Sequence, residues 1–216
     1  MTGHREVRGR IVLADRVTAG RVLIEDDRIA ELDLDDKDRD IGAPLVAPGL
    51  VDVHVHGWGG HDAMGGRDAL TGMARALARR GVTSFLPTAV SAPLTELAEF
   101  VGTVRAWTSS APADGAAPLG LNLEGPFLSP ARKGAHAEAN LVDPVSVPDL
   151  ELEPLIDGLR LITVAPELPG SLELIARLRT AGVAVSLGHS AATYDQASAG
   201  YRAGATGFTH LFNAMT

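Results

Sequence analysis

The sequence predicts an α/β fold: parallel strand–helix units in series, behind a short all-β unit. Three observations predict it. From Leu50 onward, short apolar runs of strand length alternate with segments whose apolar residues recur at helical spacing. Three of those helical segments end in glycine (Gly81, Gly182 and Gly204) and pass almost at once into a strand, as in "RRGVTSF", "TAGVAVS" and "RAGATGF". Glycine takes the left-handed conformation that closes a helix. Repeated junctions of this kind build a (β/α)8 barrel or an open doubly wound sheet. No phosphate-cradling GxGxxG follows the first strand of the series, which weakens a dinucleotide-binding reading.

The elements follow in chain order. Residues 8–33 hold three short strands, "RIVLAD", "GRVLIED" and "RIAELD", separated by turn-forming Gly and Asp. The acidic "DLDDKDRD" is then a surface connection. "LVDVHVH" is the first strand of the series. Its helix, "DALTGMARALARR", carries Leu70, Met73, Ala74, Leu77 and Ala78 on one stripe. "VTSFLP" is the second strand, and "PLTELAEFVGTVRAW" stripes Leu94, Leu97, Ala98, Val101 and Val104 along the next helix. "PLGLNLEG" and "LRLITVAPE" are strands three and four, followed by the helix "SLELIARLRTA". "VAVSLGHS" is strand five, "YDQASAGYRA" a helix and "TGFTHLF" strand six.

Composition narrows the function. With 216 residues, 45% hydrophobic, the chain can bury a core. Its net charge is −8 and no Lys/Arg-rich run stands out, which argues against nucleic acid or an anionic membrane as partner. An anionic substrate needs a local site. There is no cysteine, so a metal site must use His, Asp or Glu. No signal-type apolar segment follows "MTGHREVRGR", and no apolar run approaches the ~20 residues that span a bilayer. A soluble, cytoplasmic protein is expected.

The chemistry-bearing residues cluster at strand ends. In "LVDVHVHG", His54 and His56 are two apart, so both rings point to one face, while Val51, Val53 and Val55 face the covering helices. A barrel strand ending in His-x-His puts both rings at the C-terminal mouth, where barrel active sites lie. "GLNLEGPF" ends a strand with Glu124, and Asn122 shares its face. His189 ends "VSLGHS" and His210 ends "GFTH". Strand parity alone does not isolate His189, because Val183, Val185 and Leu187 share it. Each histidine alone reads as a bonded loop or core residue. Four strand ends carrying imidazole or carboxylate together read as a site for Zn²⁺ or a related divalent ion. Such an ion with an open position makes bound water a nucleophile near neutral pH, which points to metal-assisted hydrolysis. His61 and Asp62 lie in the glycine-rich loop after the first strand and carry no assignment.

"APGLVDVHVHG", "LEGPFLSPARKGAH", "LGHS" and "THLFNAMT" together resemble the N-acetylglucosamine-6-phosphate deacetylases of the amidohydrolase superfamily, from about Pro48 to Thr216. The resemblance implies a (β/α)8 barrel of the metal-dependent hydrolase type, present through about strand six over residues 48–216, and part of a small β-sandwich over residues 1–47. It implies hydrolysis of the acetamido group of a phosphosugar in amino sugar metabolism. It implies one or two divalent ions, zinc by preference: Glu124, His189 and His210 would hold the main one, His54 and His56 a second. His136 of "KGAH" would polarise the acetamido carbonyl or hold a sugar hydroxyl, with Ala135 beside it. Asn213 and Ala214 would contact the phosphate end, partly through backbone N–H groups, which are natural phosphate ligands beyond a strand end. A homodimer is implied for the full-length protein.

The family pattern continues past Thr216 with two more barrel strands and an Asp that takes a proton from the attacking water. That Asp is expected beyond the present residues, and residues 1–216 alone are expected to be inactive. Two alternatives stay open: an amidohydrolase acting on a cyclic amide or another N-acyl sugar, and a non-catalytic chain that binds metal or phosphosugar.

Overall fold

A computed structural model describes residues 4–26, 28–35 and 42–216. The chain divides into two compact units, Met1–Gly49 and Leu50–Thr216. Residues 36–41 of the acidic connection lie outside the described residues.

The first unit is a four-stranded sheet. β1 (Arg5–Val12), β2 (Val17–Glu25) and β3 (Arg28–Asp35) form an antiparallel meander, and β4 (Leu45–Val46) adds parallel to β1. β1 starts earlier than "RIVLAD" suggests and ends before "LAD". Leu13 N–H donates to Arg16 O at 2.9 Å, so those residues make the hairpin turn. Ile11, Thr18 and Val22 are buried, and β3 is largely exposed. Arg21 bridges Glu6 and Asp33 across the strands at 3.3 and 3.0 Å, on a solvated face where such pairs contribute little.

The second unit is built from six parallel strands. They are β5 (Leu50–Val55), β8 (Val82–Ala89), β10 (Leu121–Glu124), β11 (Leu159–Val164), β12 (Ala184–Leu187) and β13 (Gly207–Phe208). Their order in space is their order in sequence. This is the strand arrangement of a half-barrel, and it matches the expectation of a barrel carried to about strand six. β6 (Gly57–Trp58) and β7 (His61–Asp62) form a small hairpin after β5, and β9 (Ala117–Pro118) pairs with β8.

Helices α1 (Gly66–Ala78), α2 (Leu94–Thr108), α4 (Ser171–Thr180) and α5 (Tyr194–Ala203) occupy the expected segments. The stripes act as periodicity requires. Leu70, Met73, Ala74 and Leu77 of α1 and Leu97, Val101 and Val104 of α2 are buried against Phe85, Leu121 and Leu123. Trp107 is fully buried, packs edge-on to Phe85 and donates its indole N–H to Thr71 Oγ1 at 3.0 Å. The junction glycines Gly81 and Gly182 hold φ values of 83° and 80°, the left-handed backbone that turns each helix into its strand. α3 (Asp149–Ile156) is additional: Pro148 and the internal Pro154 make its sequence read as loop.

Two expectations are corrected. Val51 and Val53 do not face helices; they are 56% and 46% exposed, and only Val55 is buried. β5 is the last strand on its side of the sheet, and its pairing with β8 shifts by one residue between Asp52 and Val55. Strands five and six are also shorter than predicted: β12 stops at Leu187 and β13 at Phe208, so His189 and His210 lie two residues past their strands.

A candidate metal centre at the strand ends

Glu124 ends β10 and is buried, and five imidazoles converge on its carboxylate. Oε1 lies 3.1 Å from His189 Nε2, 2.7 Å from His210 Nε2 and 3.4 Å from His54 Nε2. Oε2 lies 2.9 Å from His56 Nε2 and 3.3 Å from His136 Nε2. The Nε2 atoms of His54 and His56 are 3.2 Å apart.

Backbone geometry aims these rings. His189 and His210 have φ values of 47° and 52°. A left-handed residue just past a strand reverses its side chain relative to strand parity. His189 therefore enters the site while Val185 and Leu187 stay in the core. Such backbone is costly for a residue with a Cβ, and it is held by neighbours. His189 O accepts from Ser129 N–H at 2.9 Å. Gly125, at φ 93°, turns the chain after Glu124 so closely over Ser91 that a Cβ there would sit 2.1 Å from Ser91 Oγ.

The second nitrogen of each ring sets its tautomer. His56 Nδ1–H donates to Thr88 O at 3.1 Å, and His189 Nδ1–H donates to Arg132 O at 2.9 Å. Their Nε2 lone pairs then face a carboxylate, which is stable only with a positive charge between them: a proton or a cation. Proton affinities agree. Burial pulls both imidazoles down, and the Glu124 carboxylate, helped by the Thr88 and Arg132 carbonyls, outweighs it and raises them from the ordinary histidine value. Burial alone would raise the Glu124 carboxyl. Hydrogen bonds from His136, His189, His54 and His56 reverse that and hold it far below the carboxylate range.

His136 is wired the other way. Its Nδ1 accepts from Ser91 N–H at 3.1 Å, which leaves the proton on Nε2. Glu124, His136 and His189 are close enough to share an ion, as are His54, Glu124 and His210. The tautomer favours His136 as a hydrogen-bond donor over His136 as a ligand. His54 is weakly set: Asn122 Nδ2 lies 3.4 Å from its Nδ1, and 3.3 Å from both Val53 O and Thr88 Oγ1. Asn122 Oδ1, buried beneath the site, has no hydrogen-bond partner.

The donor set fits a divalent ion. Zn–N bonds of ~2.05 Å in a tetrahedron put ligand atoms about 3.3 Å apart. The three distances from Glu124 Oε1 to Nε2 of His210, His189 and His54 already fall at 2.7–3.4 Å. Neutral imidazoles around one carboxylate carry one negative charge, which a cation offsets.

The remaining predicted residues sit on the loops around this cluster. Ala135 is exposed beside buried His136, and Gly134 passes His189 so closely that a Cβ would lie 3.1 Å from its Cε1. Asn213 N–H donates to His210 O at 2.5 Å, and Ala214 has φ 48°. His61 lies away from the cluster, its ring seated over Gly72 of α1, and Asp62 Oδ1 accepts Met64 N–H at 2.8 Å as a turn residue. Sequence reasoning missed Thr88, Ser91 and Glu167. The signal for Glu167 was available: "TVAPE" puts an acid beyond a strand end much as "LNLEG" does.

Residues 45–216 match the model of the amidohydrolase family. The chain belongs to that family. It is 38% identical over 99% of its length to the N-acetylglucosamine-6-phosphate deacetylase of Bos taurus, covering 54% of that protein. It is 41% identical over 81% of its length to an N-acetylgalactosamine-6-phosphate deacetylase of Escherichia coli O157:H7, covering 46% of it. A solved structure of N-acetyl-D-glucosamine-6-phosphate deacetylase from Mycobacterium smegmatis, a mutant in complex with N-acetyl-D-glucosamine-6-phosphate, superposes with TM-score 0.84. It shares 33% identity, with 99% of this chain and 57% of that one covered. The chain thus spans about half the length of the relatives it matches. A family of metal-dependent hydrolases accords with the clustered ligands. Among the described residues, no helix is long and apolar enough to cross a membrane.

Proposed function

We propose that the protein carrying this chain hydrolyses the acetamido group of N-acetylglucosamine 6-phosphate, giving glucosamine 6-phosphate and acetate. The observation that carries this reading is the convergence of four strand-end imidazoles and His136 on buried Glu124. The relatives' printed activities supply the substrate. Glu124, His189 and His210 hold the main ion, which we take to be zinc, and His54 and His56 contribute a second position. A bound divalent ion supplies positive charge that activates water and polarises a carbonyl oxygen.

The chain's own residues then orient the substrate. His136 presents Nε2–H, fixed by Ser91 N–H on its other nitrogen, as a donor to the acetyl oxygen. Ala135 lies beside it on the same loop. Asn213 and Ala214, on the left-handed turn past His210, meet the phosphate end, Ala214 through its backbone N–H and Asn213 through its side-chain amide, its own N–H being held by His210 O. An anchored phosphate keeps the scissile amide in place and so raises the rate of the chemical step.

The test is acetate release from N-acetylglucosamine 6-phosphate, its galacto epimer and unphosphorylated N-acetylglucosamine, with zinc present. The reading expects the highest kcat/KM for the gluco phosphosugar and much poorer turnover of the free sugar. Equal kcat/KM with and without phosphate contradicts the phosphate site, and a preference for the galacto epimer replaces the substrate.

A further inference from the structure

Glu167 lies three residues past the end of β11, on the same rim as Glu124, with its carboxylate engaged elsewhere. Its Oε2 accepts the Ser190 hydroxyl at 2.7 Å, and its Oε1 accepts Ala191 N–H at 2.5 Å. Ser190 Oγ in turn accepts Ala192 N–H at 3.0 Å. One half-buried carboxylate thus holds the turn directly behind His189, whose left-handed backbone needs such support. Hydrogen bonds to a charged acceptor are roughly twice as strong as neutral ones.

Ser190 also joins this turn to the segment past His210. Ser190 N–H donates to Ala214 O at 3.2 Å, and Thr216 N–H donates to Ser190 O at 3.1 Å. Ser190 and Met215 pair as an isolated parallel bridge. A displacement of Ser190 therefore moves two things at once: the backbone that aims His189, and the backbone that carries Asn213 and Ala214.

We infer that Glu167 is a positioning residue that locks Ser190 and so couples the metal-holding end of the site to the 213–216 segment. The names given to those two ends rest on the proposed function; the coupling rests on the hydrogen bonds alone. Among the described residues, the hydrogen bonds of Glu167 go to Ser190 and Ala191 and not to a candidate ligand or the 213–216 segment, and of these two Ser190 is the one bonded to that segment.

The test uses the full protein that carries this chain, with zinc alone as probe. Zinc affinity is measured by chelator competition, and backbone amide exchange is followed by mass spectrometry. Glu167→Ala is expected to weaken zinc binding by about 10–100-fold, the range for lost outer-shell partners. It should also speed exchange in both 189–192 and 213–216 while leaving α2 unchanged. Glu167→Gln keeps an acceptor for Ala191 N–H and a polar partner for Ser190, and should recover most of the loss. Ser190→Ala removes one bond and should fall between them. Should Glu167→Ala fail to fold, Ser190→Ala decides in its place. Unchanged zinc affinity, or faster exchange confined to 189–192, overturns the coupling. If the parent protein binds no zinc, the metal reading falls and the exchange measurement decides Glu167 independently: faster exchange in 213–216 supports it, and unchanged exchange there overturns it.

Discussion

On inner strands of the parallel sheet, the side chains of Glu124, at the end of β10, and His189, past β12, are 4% and 6% exposed. Toward its outer strands, His54 and His56 on β5 and His210 past β13 are 21%, 38% and 43% exposed. The chemistry is the same and the support differs. The central pair is braced by Ser129, Arg132 and the Glu167–Ser190 link, and stands on packed neighbours. His56 leans on one carbonyl, Thr88 O, and His54 on one long contact from Asn122. His210 is exposed as well, but its Nε2 comes to 2.7 Å from Glu124 Oε1, the shortest of these contacts, which joins it to the central pair. Affinity should be concentrated there, with the β5 histidines adding a weaker, separable contribution.

The largest expected effect is at the shared carboxylate. Glu124→Gln keeps shape and removes the charge on which five imidazoles converge. It should abolish the main ion, weakening zinc by more than the roughly 100-fold that outer-shell losses reach, as read by chelator competition. His189→Ala should follow closely. His54→Ala and His56→Ala should lower total metal content while leaving the tight site filled, as read by elemental analysis. Equal losses from the central and the β5 histidines would erase the distinction between them.

Stability should show the same contrast. Trp107→Ala, in the packed layer between helix and sheet, should cost about 3–5 kcal/mol in urea unfolding. Gly125→Ala should cost about 1–3 kcal/mol, because φ 93° and the 2.1 Å approach to Ser91 Oγ both resist a Cβ. Val51→Thr and Val53→Thr, on the exposed side of β5, should stay within about 0.5 kcal/mol of the parent chain. A large loss at Val51 would mean that its face is covered.

Much of this was legible in the sequence because it depends on periodicity. The stripes at Leu70–Leu77 and Leu97–Val104 had to be buried, and the strand ends had to carry Glu124, His54 and His56 to one rim. What periodicity does not encode was missed. Val51 and Val53 alternate as a buried face should and are exposed, on a strand paired on one side alone, which no local window tells. The parity conflict at His189 dissolved only when its left-handed φ became visible. His136 was reached through the family resemblance and Glu167 not at all; both owe their placement to partners 45 and 23 residues away, Ser91 and Ser190, which no local window relates.

The central claim is that Glu124, His189 and His210 hold one divalent ion. Anomalous diffraction at the zinc edge, from crystals of the zinc-saturated protein, tests it most directly. The account predicts a strong peak about 2.0–2.2 Å from a Glu124 carboxylate oxygen and from Nε2 of His189 and His210, with His136 Nε2 outside bonding distance. A peak ligated by His136 in place of His210, or no peak at the Glu124 carboxylate at saturating zinc, would contradict it.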